Sequence, residues 1–427
     1  MPKVLRRPRP SGRRVSVRPT ARGWQAIFFG GLSLVAALLV GTTQIYQLAY
    51  ALAGLLLAAL VLGLFFSRGL RYTRRISEGE RLTVGRSSHV ELMVSNASRT
   101  RSPNVEVVDH FPERRTFRGP PVAGSETRKI REPVLFAKRG FYELGPAEIR
   151  TTDPFGLLRF VRGFGAHTEV TVYPEVFDLA GFPLRGKKGD AGTRGSFAQR
   201  GDEFSGLREY RRGDDRRHID WKSVARTGEL VVKEFAQESP QRHTVVLDLH
   251  YPGIGATEVE VEDAVSAAGS VLHHLAREGL PFRVLCADKG RGATAFGADE
   301  AAYWRAMDLL AVAQADGDVE LRDLLNEKLH EGRDELGECV VLISRSLGDG
   351  LVESVEKLRA AGLSAVVVAL AAHTYRAVGV ASRREGVFSG CVRRLELAGA
   401  DVRVVRRPGG VGALTGARRA ANTRGAV

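Results

Sequence analysis

Asp214, His218 and Asp220 fall close together, and an imidazole among carboxylates is the composition of a general acid–base site. A hydrolase-type reaction is the chemistry such a trio would serve. The three lie in residues 201–235, GDEFSGLREYRRGDDRRHIDWKSVARTGELVVKEF, the most charge-dense part of the chain. Phe204, Leu207 and Tyr210 recur there at a helix-like spacing, Trp221 follows, and residues 230–235 read as a strand. Mixed signs at this density exclude a nucleic-acid patch, which would be one-signed. The apolar anchors exclude a disordered tail. No nucleophile accompanies the trio: there is no G-x-S-x-G elbow, and KKGDAGTRGS at 187–196 lacks the Walker spacing of a phosphate cradle. The stretch therefore reads as structural, and no catalytic residue is assigned in it. Arginine forks hold carboxylates bidentately. Arg208, Tyr210, Asp214, Arg217 and Trp221 are expected to form such a network between two domains.

A second set of candidates follows from residue 243 on. LAREGLPFRVLCA from Leu275, LRAAGLSAVVVAL from Leu358 and LELAGADVRVVRR from Leu395 share one shape. In each, a leucine ends a helix, a glycine caps it four positions on, and an apolar strand begins. Strands with near-continuous apolar runs, TVVLDL, FRVLCA, CVVLIS, AVVVAL and VRVV, are covered by helices on both faces. The pattern is that of a doubly wound, mostly parallel α/β sheet. Its ligand site belongs at the carboxyl ends of the strands. Those ends offer Asp248 and His250, then Asp288, then Ser344, Ser346 and Asp349, then His373. Mg²⁺ needs hard oxygen ligands. After Asp248 the alternate positions hold His250 and Pro252, a poor ligand and none. Asp349 could add a carboxylate and Thr294 a hydroxyl. The set stays degenerate, so no metal and no cofactor is expected.

These residues sit behind a different kind of sequence. The net charge is +14, but it is concentrated at the ends. The first 75 residues hold twelve Lys or Arg and no acid, and the residues from Arg403 on hold six Arg and no acid. The body between is slightly acidic, which excludes a nucleic-acid-binding body and assigns the N-terminal charge a membrane-flanking role. Residues 26–40 and 48–66 are apolar runs without a charge, long enough to cross a bilayer once Trp24 and the flanking positions are counted. A hairpin linked by 41–47 is expected, with both termini cytoplasmic because the arginines flank its outer ends. From 77 to 174 the apolar period becomes two, with Gly and Pro turns, as in a small antiparallel sandwich of Ig-like size. Cys286, Cys339 and Cys391 show no metal spacing, and the first two lie in apolar runs as buried core thiols would. The expected order is a basic disordered tail (1–22), a transmembrane helical hairpin (23–75) and a β-sandwich (76–180). A linker with the charged stretch (181–242), an α/β domain (243–407) and a basic disordered tail (408–427) follow.

The spacing G-x-x-F-x-x-L-R-x-Y-x-x-G-D-x-x-R-x-I-x-W-x-x-x-A-R is met by Gly201, Phe204, Leu207, Arg208, Tyr210, Gly213, Asp214, Arg217, Ile219, Trp221, Ala225 and Arg226. It resembles the signature of the bacterial family called domain of unknown function 58. RGFYELGP at 139–146, DPFGL at 153–157 and TVYPEV at 171–176 resemble that family too. Asp248 looks like the first acid of the metal motif of von Willebrand factor type A domains, in which two serines stand where His250 and Pro252 stand here. The resemblance implies a von Willebrand A-like α/β domain on a non-enzymatic scaffold or adaptor of the cell membrane. It also implies partners: a MoxR-type AAA+ ATPase and transglutaminase-like membrane proteins.

Overall fold

A computed structural model describes residues 15–76, 81–102, 104–111, 113–119, 121–165, 167–179, 181–182, 204–211, 218–235, 241–251, 257–375 and 381–415. Of 204–206, 227, 233–235, 381–384 and 415 it describes the backbone only. The chain divides into two compact units, residues 1–175 and 176–427.

The N-terminal unit opens with β1 (Ser16–Pro19), then α1 (Ala21–Val40) and α2 (Thr43–Arg68). Both helices are long and apolar enough to cross a membrane. Two expectations are corrected here. Residues 16–19 are not tail: they pair antiparallel with a strand of the body, Arg18 opposite Arg159. The link between the helices is Gly41 and Thr42 alone rather than 41–47, because Gly41 (φ 76°) returns its N–H to the Ala37 carbonyl and Thr42 already stands as the next N-cap. The polar residues of TQIYQ fit the first turns of a helix once that turn is made.

Directly past α2, from Leu70, the period-two pattern takes over. The strands are β2 (Leu70–Ile76), β3 (Leu82–Thr83), β4 (Ser87–Asn96), β5 (Val105–Phe111), β6 (Glu113–Gly119) and β7 (Thr127–Leu135). Then come β8 (Gly140–Leu144), β9 (Ala147–Thr152), β10 (Leu158–Phe164) and β11 (Thr168–Tyr173). They form sheets ordered β1-β10-β9-β5-β6, β2-β4-β7 and β3-β11-β8. One core joins them, including Val90, Leu92 and Val94 of β4, Val107 and Phe111 of β5, Ile149 of β9 and Val172 of β11. Alternation along β4 places those three side chains inward and Glu91 and Met93 at the half-buried outer face.

Two features of this unit hold unusual chemistry. The first is a buried triad: Arg74 and Asp109, both with side chains at 0% exposure, form an ion pair that the Tyr72 hydroxyl joins. The second ties α1 and α2 to the sheet. Thr20 caps α1 by accepting from Gly23 N–H, while its own hydroxyl donates to the Gly156 and Leu157 carbonyls at the DPFGL turn. Asp153 braces that turn by accepting from the N–H groups of Phe155 and Leu158. The Phe160 ring of β10 abuts Gly63 of α2, where a Cβ would fall 1.9 Å from Phe160 Cε2.

The C-terminal unit begins with residues that pack on its own helix: the Phe177 N–H donates to Ser270 Oγ at 2.9 Å, and Leu179 and Phe182 are buried. A hairpin follows, β12 (Phe204–Glu209) and β13 (Val231–Phe235), with α3 (Trp221–Thr227) between its strands. The main sheet comprises β14 (His243–Leu247), β15 (Phe282–Cys286), β16 (Cys339–Ser344), β17 (Ser364–Leu370) and β18 (Asp401–Val405). Its order is β15-β14-β16-β17-β18, all parallel. The crossovers carry α4 (Glu258–Arg277), α5 (Glu300–Val312), α6 (Leu321–Glu331), α7 (Asp349–Ala360) and α8 (Ala381–Leu397). Gly279, Gly362 and Gly399 have φ of 65°, 79° and 93°, so the three repeated cap glycines occupy the left-handed position that the sequence pattern requires. Cys286, Cys339 and Cys391 are buried thiols. Residues 411–415 form a 3-10 turn with Val411 and Leu414 buried, so the expected basic tail starts later than 408. Those two apolar side chains are what holds it down.

Candidate functional site

From β14 the chain crosses to β15 on one side and then to β16 on the other. The crevice between the carboxyl ends of β14 and β16 is thus the switch point of the sheet. Asp248 follows β14 and Ser344 ends β16, both buried. Ser344 Oγ donates to Asp248 Oδ2 at 2.5 Å, and the His250 N–H donates to Asp248 Oδ1 at 3.1 Å. The Ser346 N–H in turn donates to Ser344 Oγ at 2.9 Å, fixing the hydroxyl's direction. Burial pushes the Asp248 carboxyl above the usual carboxylate range, while the Ser344 and His250 donors and the Arg345 charge pull it back. A folded-state value above the ordinary one contributes stability that is complete below about pH 4 and is lost as pH rises through the raised value. Asp248→Asn should remove that dependence. Thermal unfolding followed from about pH 4 upward should fall less steeply in the variant. Identical slopes would assign the pH dependence to another group.

Beside Asp248 opens a cleft of about 400 Å³ lined by His250, Glu320, Arg322, Ser346 and Leu351 among others. The segment from Gly317 into the first turn of α6 brings Glu320 and Arg322 there. It can do so because Gly317 lies on the Ala287 carbonyl, where a Cβ would come within 2.0 Å. The opposite wall is the start of α7, whose N-cap Gly348 has no side chain to satisfy the first-turn N–H groups. The cleft therefore offers an imidazole, both signs of charge and a helix N-terminus. Glu320 and Asp323 flank the Arg322 guanidinium at 3.5 and 3.3 Å.

The remaining metal candidates do not converge on Asp248. Asp349 is 88% exposed and pairs with Arg394 at 2.5 Å. Thr294 Oγ1 accepts from the Val284 N–H, on the edge ribbon beside β15. Pro252 lies outside the described residues. Among the described residues no group of three His, Cys, Asp or Glu could hold a metal ion. Asp288 braces its own loop, its carbonyl accepting from Arg291 N–H. His373 contacts Glu385, whose carboxyl is held below the usual range by Arg406 first and then by His373.

Among its described residues, the charged stretch differs from its sequence reading in secondary structure. Phe204, Leu207 and Tyr210 lie on and just past a strand, not a helix: β12 pairs with β13, with a bulge between Phe204 and Gly206. The strand-forming run on the partner side, VVKEF, imposes extended geometry and overrides the spacing of three. Tyr210 N–H donates to the Leu230 carbonyl at 2.9 Å, and the Arg208 side chain donates to the Glu209 carbonyl at 3.2 Å. Ile219 is buried and bridges Val232. Asp220 precedes α3 and accepts from Ser223 Oγ at 2.8 Å. Trp221, Ala225, Arg226 and His218 stand exposed, Trp221 at 64%, and Leu207 at 45%. Gly213, Asp214 and Arg217 lie outside the described residues, as does Gly201, so the trio Asp214, His218 and Asp220 is described only in its last two members.

Sequence reasoning missed the acids on α4. Glu260 is fully buried and faces Arg345 at 3.3 Å, whose guanidinium lies 4.9 Å from the Tyr251 ring centre. One turn on, Asp263 accepts from Arg407 Nε and Nη2 at 2.9 and 2.8 Å and from the Tyr375 hydroxyl at 2.8 Å. Burial first, then Asp263, pushes that hydroxyl well above its ordinary range. The signal was legible: Glu260 and Asp263 precede Ala264, Val265 and Ala268 on the face that the helix buries.

Residues 206–374, from within β12 through the turn after β17, match the family described as protein of unknown function DUF58. This stretch is a DUF58 domain. A curated relative, the uncharacterized protein YeaD of Bacillus subtilis (strain 168), is 24% identical over 144 residues, 33% of this chain. The match spans about a third, 34%, of that relative's length. Among solved structures, the CARDB domain of a Pyrococcus furiosus protein covers 24% of this chain and 94% of its own, at 12% identity and a TM-score of 0.19. A beta-glucosidase from Listeria innocua in complex with gluconolactone covers 24% of this chain and 16% of its own, at 15% identity and a TM-score of 0.16. At those scores neither likeness bears on the fold. The DUF58 domain contains the whole switch-point cleft and both α4 acids, while Arg407 falls just beyond its matched end.

Proposed function

We propose that this protein is a non-enzymatic, membrane-anchored scaffold or adaptor that offers the DUF58 cleft to a protein partner. The observation that carries the reading is the state of the cleft's groups. Its buried carboxylate is already engaged by Ser344 and His250, and its Glu320 and Arg322 present both charges at the rim. Such a set recognises polar side chains of another protein. Two uncharged apolar spans with arginines at their outer ends support a multi-pass hairpin in the cell membrane, with both termini and the soluble domains cytoplasmic. The sheet-rich part of the N-terminal unit is an Ig-like sandwich by its size and alternation. The α/β unit is von Willebrand A-like, a reading supported by the antiparallel bridges of Ala293 and Gly297 that extend the sheet beyond β15. The partner implied by the family resemblance is a MoxR-type AAA+ ATPase, with transglutaminase-like membrane proteins in the same assembly.

The test is recovery of the full chain from its native membranes, probed for a co-purifying MoxR-type AAA+ ATPase. In Gly350→Leu, whose Cβ would rest 3.7 Å from Arg322 Cδ, the added side chain fills the cleft without a backbone clash. ATPase recovery should drop about tenfold, the loss of one anchoring contact, while the chain stays in the membrane. Unchanged recovery would remove the cleft from the partner surface.

A further inference from the structure

The sheet β1-β10-β9-β5-β6 turns apolar side chains to the core with one face and arginines outward with the other. The register places Arg18 of β1 directly opposite Arg159 of β10, and Val161 opposite Arg150 of β9. With Arg114 of β6, these three arginines line a cavity of about 500 Å³. Glu148 is the carboxylate in its wall, and it sits 2.9 Å from Arg150. Among the described residues no acid pairs with Arg18, Arg114 or Arg159, and Arg150 Nε is shut from solvent with no hydrogen-bond acceptor. Like charges directly across an antiparallel pair destabilise a sheet. Four arginines lining one cavity therefore fit an anion there, and planar guanidinium forks match phosphate oxygens. The cavity's place selects which phosphate. Its wall includes Thr20 and Ala21, the cap and first residue of α1. Trp24, one turn further, is 62% exposed, the placement of an interfacial tryptophan. Bilayer phosphates stand at that level.

We propose that this arginine cavity binds the phosphodiester of an anionic phospholipid headgroup, with Arg18, Arg150 and Arg159 around the phosphate and Arg114 at the rim. The inference rests on the reading of α1 and α2 as a membrane hairpin. Full-length protein in neutral detergent, mixed with equal amounts of phosphatidylglycerol and phosphatidylcholine of the same acyl chains, tests it by native mass spectrometry. Phosphatidylglycerol should be retained in preference. Arg159→Gln and Arg114→Gln should each lower its retention about fivefold, and Lys129→Gln, exposed on β7 of another sheet, should leave it unchanged. Arg114 is itself exposed, so its variant folds even if Arg159→Gln does not. Equal retention of both lipids, or retention indifferent to the two arginine variants, overturns the proposal. Displacement of the lipid by inorganic phosphate overturns it too, in favour of a soluble anion. Alkaline carbonate extraction of native membranes runs in parallel. Release of the chain would overturn the hairpin reading itself, whereas retention without lipid preference would overturn this inference alone.

Discussion

Arg74→Ala is expected to destabilise the N-terminal unit by about 3–5 kcal/mol, the cost of leaving a buried charge without its partner. Asp109 keeps only the Tyr72 hydroxyl and the His110 N–H once the guanidinium is gone. Arg74 loses more than one contact: Nε donates to Asp109 at 3.0 Å, Nη1 to the Leu144 carbonyl at 2.8 Å, and the guanidinium lies 5.0 Å from the Phe111 ring centre. Burial, followed by the Asp109 carboxylate, pushes the Tyr72 hydroxyl well above its ordinary range, so it remains a donor at every physiological pH. The triple variant Tyr72→Phe, Arg74→Met, Asp109→Leu should recover most of the loss, because an apolar set of similar volume needs no partner. Thermal unfolding of the full chain in detergent, read by near-ultraviolet circular dichroism, gives both numbers. If Arg74→Ala melts with the wild type, the triad contributes nothing to stability.

Phe160→Ala should cost a similar amount, about 3–5 kcal/mol. Phe160 is 1% exposed and forms a cluster with Ala59, Leu157 and Leu158, with Leu56, Leu60 and Leu64 of α2 packed around it. Truncation opens a hole between β10 and α2 that backbone on the Gly63 side cannot fill. Gly63→Leu alone should also destabilise, since its Cβ would collide with the ring. The two changes together should cost less than their sum, as neighbours that fill one another's space do. The same melting experiment decides, with protease sensitivity of β10 as a second readout. Additive losses would mean that the ring and the glycine do not share one contact.

The sequence made periods legible and left meetings between distant residues hidden. The three Leu-to-Gly caps, the apolar strands and the two uncharged spans were readable because each depends on neighbours within a turn or two. That Asp248 and Ser344 stand at the carboxyl ends of their strands was readable from the apolar runs, whereas the strand order that makes their crevice the switch point was not. The hydrogen bond between them was not readable, since 96 positions separate the two residues. Arg74 with Asp109, Phe160 with Gly63 and the four arginines of the outer sheet face were hidden for the same reason. Their partners come from strands whose pairing order no local pattern specifies. The helix-like spacing of Phe204, Leu207 and Tyr210 misled because strand pairing with 231–235 outweighed a short apolar period.

The unequal helices have a consequence for where the proposed hairpin can settle. At about 1.5 Å per residue, the 20 residues of α1 match a hydrocarbon layer of about 30 Å. The 26 residues of α2 exceed it by about 9 Å. That surplus begins near Gly63, where Phe160 holds the helix to the sheet, and Thr20 fixes the other helix to the same sheet at the DPFGL turn. Independent tilting or sliding of either helix to absorb hydrophobic mismatch would break one of these contacts. A bilayer that is too thick or too thin must itself deform around the protein, at a fraction of a kcal/mol per Å. Acyl-chain length thereby becomes a sorting variable for this protein, acting through a rigid two-point mount.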